Sequence, residues 1–364
     1  MGGAAPSPIG RHLAEWRIRR GLTTANLATC SGLTERLIGE LESGKTWVDQ
    51  RGVLSALSSG LRLDPAELTG QPYAPHAPDH SFVHSLGWHA RRYLARVVSG
   101  DGNDGGQPDQ GPLAALLAGV LAAEADGDLV SAGWKVRTLL ELVAGSQPWS
   151  GNHGDAALGP AVYAAVARFL RRIGYRDLAW GVLTQAHAHV EGHPAAVLEE
   201  EIHLLLDMGQ AELAVVRAAR AEPNVRAQVR LPLAVAHATM GREEESERLL
   251  AAAQESGASP QQVAFAGAFA AVERGAYDQA LIRAAGAGGL SAGDRSALLV
   301  ITASARARLA QYGAAARDLM AAESAAPLPT RLDPVAREVA SILHSSSGEH
   351  VHVLGDVAAR FGLE

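Results

Sequence analysis

The stretch Leu22–Lys45, LTTANLATCSGLTERLIGELESGK, decides how the N-terminal part of the chain folds. Thr24–Cys30 reads as a short amphipathic helix with Leu27 and Ala28 on its apolar side. Gly32 ends it, because a residue without Cβ takes the positive φ of a helix C-terminus at little cost. Thr34 is an N-cap by type, and Glu35–Glu42 carries Leu37, Ile38 and Leu41 as the buried stripe of a second helix. Ser43 and Gly44 stop it.

Working outward, Ile9–Arg20 predicts a helix with Ile9, Leu13, Trp16 and Ile18 apolar, closed by Gly21. Lys45–Gln50 is a loop carrying Trp47. Arg51–Leu61 turns Val53, Leu54, Leu57 and Leu61 inward, and Asp64 caps a short helix, Pro65–Leu68. Two helices about a glycine turn, inside a five-helix unit, have the spacing of a DNA-binding helix-turn-helix. The residues Leu22, Leu27, Ala28, Gly32, Leu33, Ile38, Leu41, Glu42 and Gly44, with the trailing VLSALSSGLRLDPAEL, resemble the XRE (phage-repressor-like) family over Ile9–Thr69. The resemblance implies a salt bridge between Arg17 and Glu42. It places the base-reading side chains at Glu35, Arg36 and Glu40, with Thr24 at the start of the preceding helix.

Arg36 has the donor fork that pairs with guanine, and Glu35 can accept from a cytosine amino group. Two carboxylates beside phosphates oppose the counterion-release term that supplies most affinity. Gly39 costs up to ~1 kcal/mol against Ala inside a helix; it either lets the backbone approach DNA closely or marks a weakened reader. Thr34, Lys45, Arg51 and Arg20 complete the expected DNA-facing set.

Net charge is −7, of which residues 1–70 contribute +1, so a basic footprint can only be local. The single cysteine, Cys30, excludes an intramolecular disulfide and a cysteine-based zinc cluster, and is expected to be a small buried thiol. The N-terminus lacks a signal-peptide pattern, and apolar runs such as Leu113–Ala123 fall short of the ~20 residues of a membrane span. A cytoplasmic protein, nucleoid-associated when on DNA, is expected, with no membrane contact.

His80 and His84 are i, i+4 on one helix face, a spacing a metal could use, but His89 lies on the opposite side and no Cys or helix-borne Glu joins them. His187, His189 and His193 lack the order of a zinc peptidase, and His350 and His352 are unsupported as ligands. No nucleophile–base pairing or phosphate loop is present, so neither a metal, a cofactor nor an enzyme is expected.

From Leu113 the chain is repetitive. Turns at Gly127, Gly174, Gly209, Gly241, Gly275 and Gln311 are followed by small or apolar residues at +5, +9 and +12, except that Glu323 breaks the last position after Gln311. Ala179, Leu183 and Ala186 after Gly174 are an example. The intervals are 47, 35, 32, 34 and 36, the longest holding an insertion, Gly145–Pro160. A period near 34 built from helix pairs resembles tetratricopeptide (TPR) repeats, whose stacking forms a superhelix with a concave groove. The expected architecture is all-α. It comprises a five-helix domain at 1–72, and a linker at 73–112 with one helix near 80–98 and a flexible tether. A TPR-like α-solenoid of five to six helix pairs follows at 113–364.

A helix-turn-helix joined to such a solenoid resembles bacterial regulators of the peptide-sensing quorum-sensing type, and actinobacterial regulators with the same two parts. The resemblance implies a homodimer on double-stranded DNA, with a peptide or small molecule in the groove changing the spacing of the two heads. Arg168, Arg171, Arg172, Arg226 and Arg230 are the candidate effector-binding residues. The alternative is a TPR adaptor whose helix-turn-helix contacts a protein.

Overall fold

The computed structural model describes residues 6–99, 110–144, 158–189, 194–345 and 359–363, and all regular structure among them is helical. Capping side chains start most helices of the N-terminal unit. Ser7, Thr23, Thr34 and Asp64 each accept a backbone N–H at the head of α1 (Pro8–Arg19), α2 (Thr24–Ser31), α3 (Glu35–Glu42) and α5 (Pro65–Thr69). α4 spans Arg51–Leu61. Their apolar stripes meet in one core, where Leu13, Leu27, Ile38, Leu41, Leu57 and Leu68 are fully buried.

A 22-residue helix, α6 (Pro78–Ser99), follows. Then come six pairs, α7/α8 (Gln110–Ala125, Leu129–Ala144), α9/α10 (Leu158–Arg172, Arg176–His189) and α11/α12 (Ala195–Asp207, Ala211–Ala219). A short helix, α13 (Pro223–Gln228), precedes α14/α15 (Arg230–Thr239, Glu243–Glu255), α16/α17 (Pro260–Glu273, Tyr277–Ala285) and α18/α19 (Ala292–Arg308, Tyr312–Ala325). α20 (Pro327–Leu332) and α21 (Pro334–Ser345) close the stack.

The first helices of successive pairs pack closely on one another and the second helices far less, so the first helices line the concave side. The stack curves until its ends meet. A Cβ on Gly293 in α18 would strike the Glu124 carbonyl of α7, and Leu328 and Leu332 join the cluster that holds Leu113 and Leu117.

Small residues at +5, +9 and +12 from each turn glycine are buried, apart from a half-buried Ala284. The last repeat corrects the reading from sequence. Its left-handed turn residue is Ala310 (φ 58°), not Gln311, and Ala315, Leu319 and Ala322 are fully buried where Met320 is exposed. Register follows the positive-φ residue, whatever its type.

Three other expectations change. Leu158–Pro160 opens α9 instead of ending an insertion, whose other residues lie outside the described ones. The expected tether ends in helix, since α7 begins at Gln110. Cys30 is exposed, because α2 buries only Leu27.

Candidate nucleic-acid interface

The reader is assembled by its turn. Gly32 (φ 71°) ends α2 and returns its N–H to the Ala28 carbonyl at 2.9 Å. Thr34 then accepts the Leu37 N–H at 3.2 Å and starts α3 in a new direction. Arg17 grips Glu42 with two bonds, Nε to Oε1 at 2.6 Å and Nη2 to Oε2 at 2.7 Å, and donates from Nη1 to the Leu22 carbonyl at 2.8 Å. One guanidinium thus ties α1, the segment before α2 and the end of α3 together, and the bond to Glu42 raises its pKa.

With Ile38 and Leu41 in the core, α3 turns Glu35, Arg36 and Gly39 outward and leaves Glu40 half-buried. Thr24 Oγ1 donates to Glu35 Oε1 at 2.7 Å, and Arg36 Nη1 pairs with Glu40 Oε1 at 3.1 Å. The Arg36 side chain is 82% exposed. A Cβ on Gly39 would meet nothing within 4 Å. Thr34, Lys45 and Arg20 are exposed as well, Arg20 donating to the Arg62 carbonyl at 3.3 Å.

Arg51 is elsewhere. It is half-buried against the solenoid, with Nη1 on Glu273 at 2.9 Å and Nε on Asp207 at 3.4 Å. Its expected place among the DNA-facing residues is therefore corrected: two carboxylates from α11 and α16 hold it on the other side of the domain.

That other side is seated on the rim formed by the turns of the helix pairs. The contacts run in antiparallel order. Gly174 lies against Gln71 and Pro72, and the Gly209 carbonyl accepts from Ser55 Oγ at 2.7 Å. The Thr239 carbonyl touches Gly52, and that of Val272 accepts from Gln50 Nε2 at 3.1 Å. Arg308 donates to Asp49 at 2.7 and 2.9 Å, to Thr46 at 2.6 Å and to the Trp47 carbonyl at 2.5 Å. Its guanidinium lies 4.0 Å from the centre of the Trp47 ring.

At the far end Glu338, fully buried, accepts the N–H of Ile9 at 2.8 Å and of Val48 at 3.3 Å. Burial raises the Glu338 pKa to about 7, its hydrogen bonds only partly opposing this. Asp207 goes the other way. Burial pushes it up, but Arg171 and Arg51 together hold it below the usual carboxylate range.

The candidate effector residues do not form one cluster. Arg171 is locked to Glu200 at 2.5 Å and Asp207 at 2.9 Å. Arg168 and Arg172 share Glu124 at 3.4 and 3.9 Å and stay partly exposed. Arg226 donates to the Ala219 and Ala221 carbonyls behind α12, and Arg230 to the Ala252 carbonyl and Ser256 at the end of α15.

No cluster of three or more His, Cys, Asp or Glu among the described residues is placed to hold a metal. His80 is buried between His76 and His84, its pKa lowered to about 4 by burial first and by those neighbours. His187 bonds Glu201 at 2.6 Å, while His193, His350 and His352 lie outside the described residues. No helix among the described residues is long and apolar enough to cross a membrane.

Residues 8–69 match the family model of a helix-turn-helix domain. This segment is a helix-turn-helix domain. No curated protein matches the chain. Among solved structures the chain is similar to Bacillus thuringiensis PlcR, crystallised in complex with the peptide PapR7 and DNA. Identity is 12%, 88% of this chain and 94% of that one are covered, and the TM-score is 0.27, a likeness that adds nothing to the fold derived above.

Asp49, Asp207, Glu273, Arg308 and Glu338 are the residues that sequence reasoning missed. Each acts on a partner at least 156 residues away, and no local spacing signals such a pair.

Proposed function

We propose that the protein is a sequence-specific DNA-binding transcriptional regulator that acts in the cytoplasm as a homodimer. One observation carries this reading. The helix-turn-helix domain presents α3 to solvent while burying its opposite side on the solenoid rim. A head held this way is a rigid extension of the solenoid. A change in solenoid curvature then moves the reader helix directly, which alters the match to paired half-sites. A peptide or small-molecule effector would act from the concave side, where Arg168 and Arg172 keep exposed donors beside Glu124. Arg171, Arg226 and Arg230 are committed to internal partners and are not in that set.

The test is duplex binding with DNA from upstream of the protein's own gene, measured across salt concentration. Binding that weakens steeply with salt and drops in Arg36→Ala supports the regulator. Absence of duplex affinity together with tight binding to a protein partner replaces it by the adaptor.

A further inference from the structure

The outward face of α3 is a two-by-two patch, because residues four apart lie above one another on a helix. Glu35 stands over Gly39, and Arg36 over Glu40. Each of the two long side chains is steered by a neighbour. Thr24 holds one carboxylate oxygen of Glu35, Oε1, at 2.7 Å, which leaves Oε2 for a second partner. Glu40 holds Arg36 by Nη1 alone, at 3.1 Å, which leaves the Nε and Nη2 edge for a second partner. That edge matches the O6 and N7 acceptors of guanine.

Glu35 has only two methylenes, so its carboxylate reaches a base edge only if the helix backbone comes close to the groove floor. The bare surface at Gly39, directly beneath it, permits that approach. In the major groove the cytosine amino group has an acceptor on one side only, the O6 of its paired guanine, whereas the adenine amino group lies between two, N7 and the thymine O4, which repel a carboxylate.

We propose that Glu35 is a specificity-determining residue that reads a cytosine amino group, next to a guanine read by Arg36. Thr24 and Glu40 are positioning residues for the two readers. The inference rests on the DNA-reading function proposed above and names the operator chemistry for it: a half-site in which the base pair next to the one holding the Arg36 guanine presents a cytosine to Glu35. The carboxylates also set the cost of a wrong site. A duplex without the amino group leaves Glu35 desolvated and facing acceptors and phosphates, so selectivity arises from repulsion as well as attraction.

The experiment uses the full chain, selection from a randomised duplex pool, and affinities for the selected and for random duplex at two salt concentrations. Wild type enriches duplexes with an invariant cytosine beside the guanine. Glu35→Gln lowers the ratio of selected to random affinity by roughly tenfold while raising affinity for random duplex. Glu35→Asp keeps the charge but is too short, and loses the cytosine preference without gaining affinity for random duplex. Thr24→Val reduces the preference and Thr24→Ser restores it, a pattern that a merely structural role for Thr24 would not produce. Selected duplexes without the cytosine, or an unchanged ratio in Glu35→Gln, overturn the inference and leave the DNA-reading function standing. A wild-type protein that enriches no duplex overturns both.

Discussion

The two sides of the helix-turn-helix domain use the same residue types to opposite ends. On the reader side Arg36 pairs with a carboxylate of its own helix and stays in water. On the seated side Arg51 and Arg308 meet carboxylates from distant parts of the chain, and those carboxylates are largely out of water. Exposed i,i+4 pairs contribute only a few tenths of a kcal/mol, whereas truncating one partner of a buried pair costs about 3–5 kcal/mol. The same chemistry therefore leaves the reader side free to exchange partners and commits the seated side to one geometry.

The comparison is broken most directly at Arg308. Arg308→Ala takes the guanidinium from the Trp47 carbonyl and from the buried Asp49 carboxylate, which keeps the Ser304 hydroxyl but loses its charge partner, and should cost about 3–5 kcal/mol, read as a lower denaturation midpoint. A midpoint within experimental error of wild type would show that the seat contributes little.

A smaller loss is expected at the rim. Gly209 has φ 71°, and a Cβ there would lie 2.9 Å from Ser55. Gly209→Val therefore strains the turn and pushes on α4, at about 1–3 kcal/mol, whereas the same change at exposed Gly241 carries the strain without the clash.

Glu338 makes the seat depend on pH. Its native pKa, about 7, lies above its unfolded value, so the native state binds more protons between about pH 4.5 and 7. Stability contributed by this group is present below the unfolded pKa and is lost as pH rises to 7, by about 1–3 kcal/mol. Denaturant titrations at pH 5 and pH 8 should show this slope in wild type and a flatter one in Glu338→Gln. Equal slopes would remove Glu338 as its source.

Arg36→Ala should leave the denaturation midpoint within about 0.5 kcal/mol, since it breaks only an exposed same-helix pair. It should lower duplex affinity by about 1–3 kcal/mol in an anisotropy titration at fixed salt. A stability loss as large as that of Arg308→Ala would mean that the two sides do not differ as described.

Much of the fold is legible because its signals are local. Thr23 and Thr34 cap within three residues, Gly32 takes positive φ one residue past its helix, and the buried stripe of α3 repeats at helical spacing. The repeats are legible for the same reason, until Ala310 replaces glycine and the turn loses its marker. Of the site, Glu35, Arg36, Gly39 and Glu40 share a face by helical geometry alone. Arg51 misleads for an equally physical reason. A cation at the start of a helix looks the same in sequence whether it faces phosphates or the carboxylates of Asp207 and Glu273.

The sequence by itself determined the five-helix unit, the helix pairs and the residues exposed on α3, because caps, turns and apolar periodicity act within a few residues of one another. Only the tertiary structure decided that the head is seated on the rim, that Arg51 is turned from DNA, and that Glu338 stands buried beneath the Val48 amide. Those outcomes depend on how the solenoid curves back. Curvature sums small rotations over six helix pairs, so no single stretch of the chain encodes it.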